Sequence, residues 1–322
     1  MSALRFRKLG KIFDPREHAL PNDCVEFAQS PQALVFDEFV RVYFCTRSVD
    51  AKNGKYLSHV CFVDMARDFK SVIRVADRPV LPLGALGCFD EHGIFPLNVV
   101  RHGDAVLGYT CGWSRRVAVS VETAIGLAHS RDQGVTFERI GDGPVLAASM
   151  REPYLVGDGF VRIIGGVFHM WYIFGTAWKR PTPESPAERT YKIGHATSAD
   201  GVNWTKEEGR RIVADRIGPD ESQALPTVVE VGGRHHMFFC YRQSVDFRKN
   251  RDRGYRLGHA WSDDLVTWTR DDESPGLEGT PGSWDSDMIC YPNTFECGGQ
   301  VYLLYNGNEF GRHGFGLALL ER

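Results

Sequence analysis

The sequence predicts an all-β fold, a five-bladed β-propeller of four-stranded antiparallel blades, on three observations. They are a repeated strand-and-turn segment, a recurring proline ahead of an apolar strand, and a last unit one strand short. The repeated segment occurs as Ile125-Gly126-Leu127-Ala128-His129-Ser130-Arg131-Asp132, as Ile193-Gly194-His195-Ala196-Thr197-Ser198-Ala199-Asp200, and as Leu257-Gly258-His259-Ala260-Trp261-Ser262-Asp263-Asp264. Each joins a strand of alternating small residues to a turn suited to Ser and Asp side chains. An aromatic then opens an outer strand, at Phe137, Trp204 and Trp268.

The prolines Pro31, Pro96, Pro153, Pro226 and Pro292 stand 65, 57, 73 and 66 residues apart, so five units of that size account for the chain. Each anchor precedes an apolar strand and a turn, then a second apolar or aromatic strand such as Phe168-His169-Met170-Trp171-Tyr172 or Val301-Tyr302-Leu303-Leu304-Tyr305. Gly165-Gly166, Gly232-Gly233 and Gly298-Gly299 mark turns between such strands. The last unit stops at Gly316-Leu317-Ala318-Leu319-Leu320, the counterpart of a third strand, and Leu4 to Phe13 can supply the fourth. The last blade is then closed by the N-terminal strand, which protects an open edge. The expected domain is single and covers 1–322, with blades near 20–82, 83–147, 148–214, 215–278, and 279–322 plus 4–13.

Composition narrows the function classes. The 322 residues are 43% hydrophobic and 25% charged, ordinary globular values, and a net charge of −3 gives no bulk attraction to nucleic acid or anionic lipid. No segment approaches the roughly 20 apolar residues of a membrane span, and Met1 to Gly10 is basic without the apolar run of a secretory signal. A cytoplasmic protein with neither nucleic-acid nor membrane partner is expected; the oligomeric state is left open. The eight cysteines form no CxxC, and Cys45, Cys111 and Cys240 fall in similar apolar strands, as small core residues do. His195 and His259 share a repeat position, with His92, His129 and His313 elsewhere, and no ligand spacing for metal appears. Neither a metal nor a cofactor is expected.

The candidate site is acidic. Five residues before the anchor proline stand Glu26, Glu91, Glu221 and Asp287, whereas the third unit carries Glu152 one residue before Pro153, within Met150-Arg151-Glu152-Pro153. Positions five and one before the proline share strand parity, so five inner strands are expected to aim carboxylates at a common axis. Crowded like charges resist joint ionisation, which lets an acid and a base coexist near neutral pH. Acids on inner strands also serve as plain ion-pair partners of nearby bases, and for any one of them that role is equally compatible with the sequence.

The blade count, the Ser-x-Asp-Gly-x-x-Trp turn of Ser198 to Trp204, and Arg151-Glu152-Pro153 together resemble the five-bladed propeller glycosidases, the group of the family 43 arabinanases and xylosidases and the family 32 invertases. The resemblance implies that Glu152 orients substrate or tunes the acid and that Glu221 is the general acid. In those families the first blade carries an Asp directly before its proline or Asn, where Gln29-Ser30-Pro31 offers serine, so the base falls to Glu26 or Glu91, or hydrolysis does not occur. Glycosidic cleavage uses two carboxyl groups about 5 to 9.5 Å apart, according to stereochemical outcome. A carbohydrate that is bound without hydrolysis, as in a polysaccharide-assembly protein, is the competing expectation.

The remaining candidates are Asp90, Arg151, Asp287, Trp113, Trp178, Arg47 and Arg242 as substrate-binding residues. Long loops between second and third strands carry aromatics and bases, with Arg115 and Arg116 beside Trp113, Lys179 and Arg180 beside Trp178, and Arg248, Lys249, Arg251 and Arg253 after Arg242. Aromatic faces stack on sugars and guanidinium groups pair with carboxylates or phosphates, so a carbohydrate with an anionic portion fits. Internal pairing of these bases with Asp246 and Asp252 fits as well.

Overall fold

The computed structural model describes residues 4–321; Met1–Ala3 and Arg322, which the expected domain includes, lie outside the described residues. The chain folds as a β-propeller. Strand β1 (Arg5–Phe13) precedes four strands β2 (Gln29–Val35), β3 (Phe39–Val49), β4 (Tyr56–Ala66) and β5 (Val72–Val75). The next set is β6 (Gly93–His102), β7 (Ala105–Arg115), β8 (Val121–Ser130) and β9 (Glu138–Arg139). It is followed by β10 (Val156–Ile164), β11 (Val167–Lys179), β12 (Glu188–Ser198) and β13 (Thr205–Lys206), and by β14 (Glu221–Val231), β15 (Arg234–Gln243), β16 (Arg256–Ser262) and β17 (Thr269–Arg270). The last are β18 (Cys290–Cys297), β19 (Gln300–Asn306) and β20 (Phe315–Glu321).

Each set pairs antiparallel in chain order, and the first two sets join into one eight-stranded sheet through a single parallel bridge, Ser58 with Gly93. The last sheet runs β1-β20-β19-β18, so the N-terminal strand closes it, with Arg5 opposite Glu321 and Phe13 opposite Phe315. The inner strands β2, β6, β10, β14 and β18 touch one another in a closed cycle. No helix among the described residues is long and apolar enough to cross a membrane.

The repeated turn explains how neighbouring sets adhere. Ser130, Ser198 and Ser262 hydroxyls donate to Asp132, Asp200 and Asp264 at 2.7, 2.9 and 3.0 Å. The same carboxylates accept backbone N–H groups of the turn, as at Thr136, Asn203 and Thr267, and those bonds hold the Asp264 carboxyl down at about 2. The turn thereby aims its following aromatic backward: Phe137 packs on Tyr43, Trp204 on Tyr109 and Trp268 on Trp171, with ring centroids 5.9, 5.8 and 6.2 Å apart in edge-on geometry. Two of the partners reciprocate through their hydroxyls. Tyr43 donates to the Gly134 carbonyl at 2.7 Å and Tyr109 to that of Gly201 at 2.9 Å.

The repeated histidines are packing elements too. His195 meets His169, and His259 meets His236, each pair stacked and hydrogen-bonded at 3.0 Å. Burial pushes His195 and His236 down to about 4, which keeps both pairs neutral at ordinary pH.

Every inner strand breaks register at one place. The interruptions lie between Gln29 and Gln32, Ile94 and Leu97, Gly157 and Phe160, Ala224 and Thr227, and Cys290 and Asn293. Ser30, Asp158, Leu225 and Tyr291 each adopt positive φ there, and Phe95–Pro96 is joined by a cis bond. These five bulges are the true internal repeat. In the third set the counterpart of the anchor prolines is Gly159, not Pro153, so the spacing becomes 65, 63, 67 and 66 residues. Glu152 accordingly sits ahead of β10, in an isolated bridge with Ser149, instead of opening the strand as its neighbouring proline suggested.

The turn staple makes a stability prediction. Tyr109→Phe leaves the Gly201 carbonyl unpaired and is expected to cost about 1–3 kcal/mol. Trp268→Ala opens a cavity between sheets and is expected to cost about 3–5 kcal/mol, both read from urea unfolding midpoints at unchanged slope.

Candidate functional site

The cycle of inner strands encloses a cavity of about 340 Å³ open to one face. Gln29, Arg47 and Tyr56 contribute from the first set, Trp113 from the second, Asp158 and Arg189 from the third, Arg248 and Tyr255 from the fourth. Tyr291, Glu309 and Phe310 complete the wall. Tyr191 and Tyr255 share a hydrogen bond of 2.7 Å, and Arg242, fully buried behind them, donates to Tyr191 at 2.9 Å. Trp113 lies nearly parallel to His92 at 6.0 Å.

Asp158 is the buried carboxyl of this wall. It occupies the bulge of β10 at φ 50°, a conformation aspartate tolerates better than most residues. Its neighbours are glycines in tight surroundings. A Cβ on Gly157 would meet Cys111 Sγ at 2.7 Å, and one on Gly159 would meet Ile125 Cδ1 at 3.0 Å. Burial pushes the Asp158 carboxyl up to about 7, against the opposing pull of the nearby Arg189 cation and of hydrogen bonding from the Leu225 backbone and Cys111. It is therefore poised to hold or release a proton near neutrality.

The acids singled out in sequence occupy different ground. None of Glu26, Glu91, Glu152 and Glu221 lines the cavity. Glu152 is fully buried, paired with Lys206 at 2.5 Å, and accepts from Tyr172 Oη at 2.9 Å and the Gly209 N–H at 3.0 Å. Glu221, also fully buried, pairs with Arg270 at 2.5 Å and accepts from the N–H groups of Arg216 and Ile217 and from Gln223. Asp90 pairs with Arg139 at 2.6 Å, and Asp285 with Lys8 at 2.5 Å. In each case an acid ahead of the inner strand, or at its first residue for Glu221, is tied to a base on the outermost strand of its own sheet. The repeated acids thus brace four sheets edge to edge, and the expected convergence on the axis gives way to these ion pairs.

The other candidates divide. Glu26 is tied to Arg312 at 2.8 Å, and Glu91 accepts the Gly87 N–H at 3.0 Å. Arg151 is exposed, and exposed Asp287 faces Arg251 at 3.5 Å. Trp178 packs under Arg189 at 6.0 Å outside the cavity wall, and Arg242 supports the wall from behind. Trp113 and Arg47 line the cavity. Of the loop bases, Arg115 pairs with Asp50 at 2.9 Å and Arg248 with Glu188 at 3.3 Å, not with Asp246 or Asp252. Proline anchoring missed Asp158, Arg189, Gln29 and Glu309. An even spacing near 65 residues falls at Val161, within three residues of Asp158, and is the signal that points toward the first of them.

Two outcomes are expected here. Glu221→Gln removes one of the two carboxylates on Arg270, leaving the Asp272 pair at 2.8 Å, and should cost about 1–3 kcal/mol in denaturant unfolding. Asp158 keeps its proton in the folded state between its unfolded value and about 7, so stability should fall as pH rises through that window, by at most about 1.4 kcal/mol per unit, and level off above it. Melting curves of wild type and Asp158→Asn from pH 4 to 8 check this, since the variant should lack that component.

No family model matches the chain. Two sequence relatives do, the uncharacterized proteins Rv1502 of Mycobacterium tuberculosis strain H37Rv and MT1551 of strain CDC 1551 / Oshkosh. Each is 36% identical over 324 residues, covering 99% of this chain and 100% of the relative. Among solved structures, a glycoside hydrolase superposes with a TM-score of 0.74 at 16% identity, over 98% of this chain and 92% of its own. A thermostable family-43 glycoside hydrolase gives 0.62 at 13% identity, over 94% and 91%. The β-1,2-mannobiose phosphorylase of Listeria innocua gives 0.66 at 14% identity, over 98% and 96%. The chain belongs to the family of the two mycobacterial proteins and is built on the propeller fold found in those glycoside hydrolases and phosphorylases.

Proposed function

We propose that the chain is a carbohydrate-active enzyme, one five-bladed domain with the blade limits expected from sequence, whose axial cavity takes a sugar with an anionic portion and cleaves its glycosidic bond. Asp158 is the proton donor to the leaving oxygen. The observation that carries this is Asp158 itself, a buried carboxyl pushed up to about 7 at the bulge of an inner strand, inside a cavity of about 340 Å³. Trp113, Tyr255 and Tyr291 offer faces to a sugar ring, and Arg47, Arg189 and Arg248 outnumber the carboxylates Asp158 and Glu309. Glu309 supplies the ionised partner: hydrogen bonds from His313 and Arg312 hold its carboxyl below the usual range. The glycosidases and phosphorylases that share the fold support the same substrate class. Eight unpaired cysteines fit a reducing, cytoplasmic setting.

Binding without cleavage is the second reading, and one observation favours it. Glu309 is half exposed and engaged by two bases, which leaves Asp158 as the buried carboxyl of the cavity. A panel of aryl glycosides separates the two. Cleavage should appear with wild type, fall as pH rises through about 7, and drop about 10²–10⁴-fold in kcat for Asp158→Asn, whose melting curve shows it folded at the assay pH. Equal turnover by Asp158→Asn overturns the assignment, and saturable sugar binding without turnover favours the binding protein.

A further inference from the structure

On the first-sheet side of the cavity two buried polar atoms lack a hydrogen-bond partner among the described residues, and they are complementary. Gln29 is 2% exposed; its amide nitrogen donates to the Phe310 carbonyl, which fixes the amide orientation and leaves Oε1 an acceptor with nothing to accept. Arg47 Nε is a donor with nothing to receive it, and no carboxylate lies within ion-pair distance of this guanidinium among the described residues. The two are neighbours, because Gln29 stands opposite Cys45 in the β2–β3 ladder and Arg47 lies two residues further along β3.

Arg47 is held between aromatic rings, 4.9 Å from the Phe27 centroid and 5.6 Å from that of Tyr56. Burial lowers its affinity for its own proton, and the nearby Arg248 cation lowers it further. Arg248 lies over Phe247 at 4.5 Å and Phe310 at 5.4 Å, on the cavity rim. Its contact with Glu188, at 3.3 Å, is single and partly exposed. Among the described residues Glu188 is the one carboxylate within ion-pair distance of either guanidinium group, an arrangement that an incoming anion relieves.

We infer that Arg47 and Arg248 form a phosphoryl subsite beside a sugar hydroxyl subsite at Gln29 Oε1, so that the substrate of the proposed reaction carries, or meets, a phosphoryl group. A carboxylate needs only one planar fork, whereas a tetrahedral dianion matches two guanidinium groups arriving from different directions, here from strand β3 and from the loop after β15. Gln29 Oε1 accepts from a hydroxyl, which a sugar supplies at every ring carbon it leaves free. The phosphoryl group has two sources, an ester on the sugar itself or inorganic phosphate bound next to it.

Titration calorimetry tests the subsite with three probes: a panel of hexose 1-phosphates, the matching methyl glycosides, and inorganic phosphate. For the hexose that binds best, the 1-phosphate should bind about 10- to 100-fold more tightly than its methyl glycoside. That preference should vanish in Arg47→Gln, shrink in Arg248→Gln and return in part in Arg47→Lys, with melting curves showing each variant folded. Inorganic phosphate that binds alone and competes with the 1-phosphate identifies a free phosphate partner; tight 1-phosphate binding that inorganic phosphate does not disturb identifies the ester. Equal affinity for phosphorylated and neutral sugars in wild type overturns the inference, as does a preference that survives in Arg47→Gln. The inference rests on the carbohydrate reading but fails separately from it. Asp158-dependent cleavage without phosphate preference sinks only the subsite, and phosphate preference without any cleavage sinks only the hydrolytic assignment.

Discussion

The backward-facing turn is the interaction on which the rest of the molecule depends. A four-stranded sheet with two apolar faces has no stable existence alone, and a ring of such sheets holds only if each grips the next. The Ser-x-Asp turn ties its own backbone with one carboxylate and delivers an aromatic into the neighbouring sheet, at Tyr43, Tyr109 and Trp171. Local hydrogen bonding and long-range packing are thus one device. The tyrosine hydroxyls that answer it bond the carbonyls of Gly134 and Gly201, whose positive φ values no branched residue adopts cheaply.

Two further devices finish the ring. Ion pairs such as Glu152–Lys206 and Glu221–Arg270 span a sheet from the approach to its innermost strand, or that strand's first residue, to its outermost strand. Bulges then bend the innermost strands around the axis, where straight strands would leave no room. One bulge carries a carboxyl in place of the serine, phenylalanine, leucine or tyrosine found at the other four. Strain at a bulge is a recurrent companion of function, and here it aims Asp158 into a space walled by arginines and aromatic rings.

The fold was legible in the sequence because its devices are local. Ser198 to Trp204 is a complete turn within seven residues, and the missing fourth strand shows as an absence at Leu320 that Leu4 to Phe13 fills. The site was less legible because its residues are selected by bulge position. Anchoring on proline works for Pro31, Pro96, Pro226 and Pro292, since proline tolerates a place where the ladder is already broken. In the third sheet glycine takes that place, and Pro153 belongs to the approach loop. The misplaced anchor made Glu152 look like an axial acid and concealed Asp158. The pairing of Asp90 with Arg139 and of Asp285 with Lys8 was beyond sequence, because each joins residues from opposite edges of a sheet.

Closure through β1 and β20 bears on how the protein is made. Strand β1 leaves the ribosome long before β20 and must wait for it before it has a partner, while Phe6 and Phe13 stay without their hydrophobic seats. Arg47 is synthesised early, Arg248 late and Phe310 later still, so the cavity has no complete wall on a nascent chain. Ligand capture is thereby withheld until β20 has been made, and a product truncated before it leaves its sheets without a closed ring of neighbours and encloses nothing.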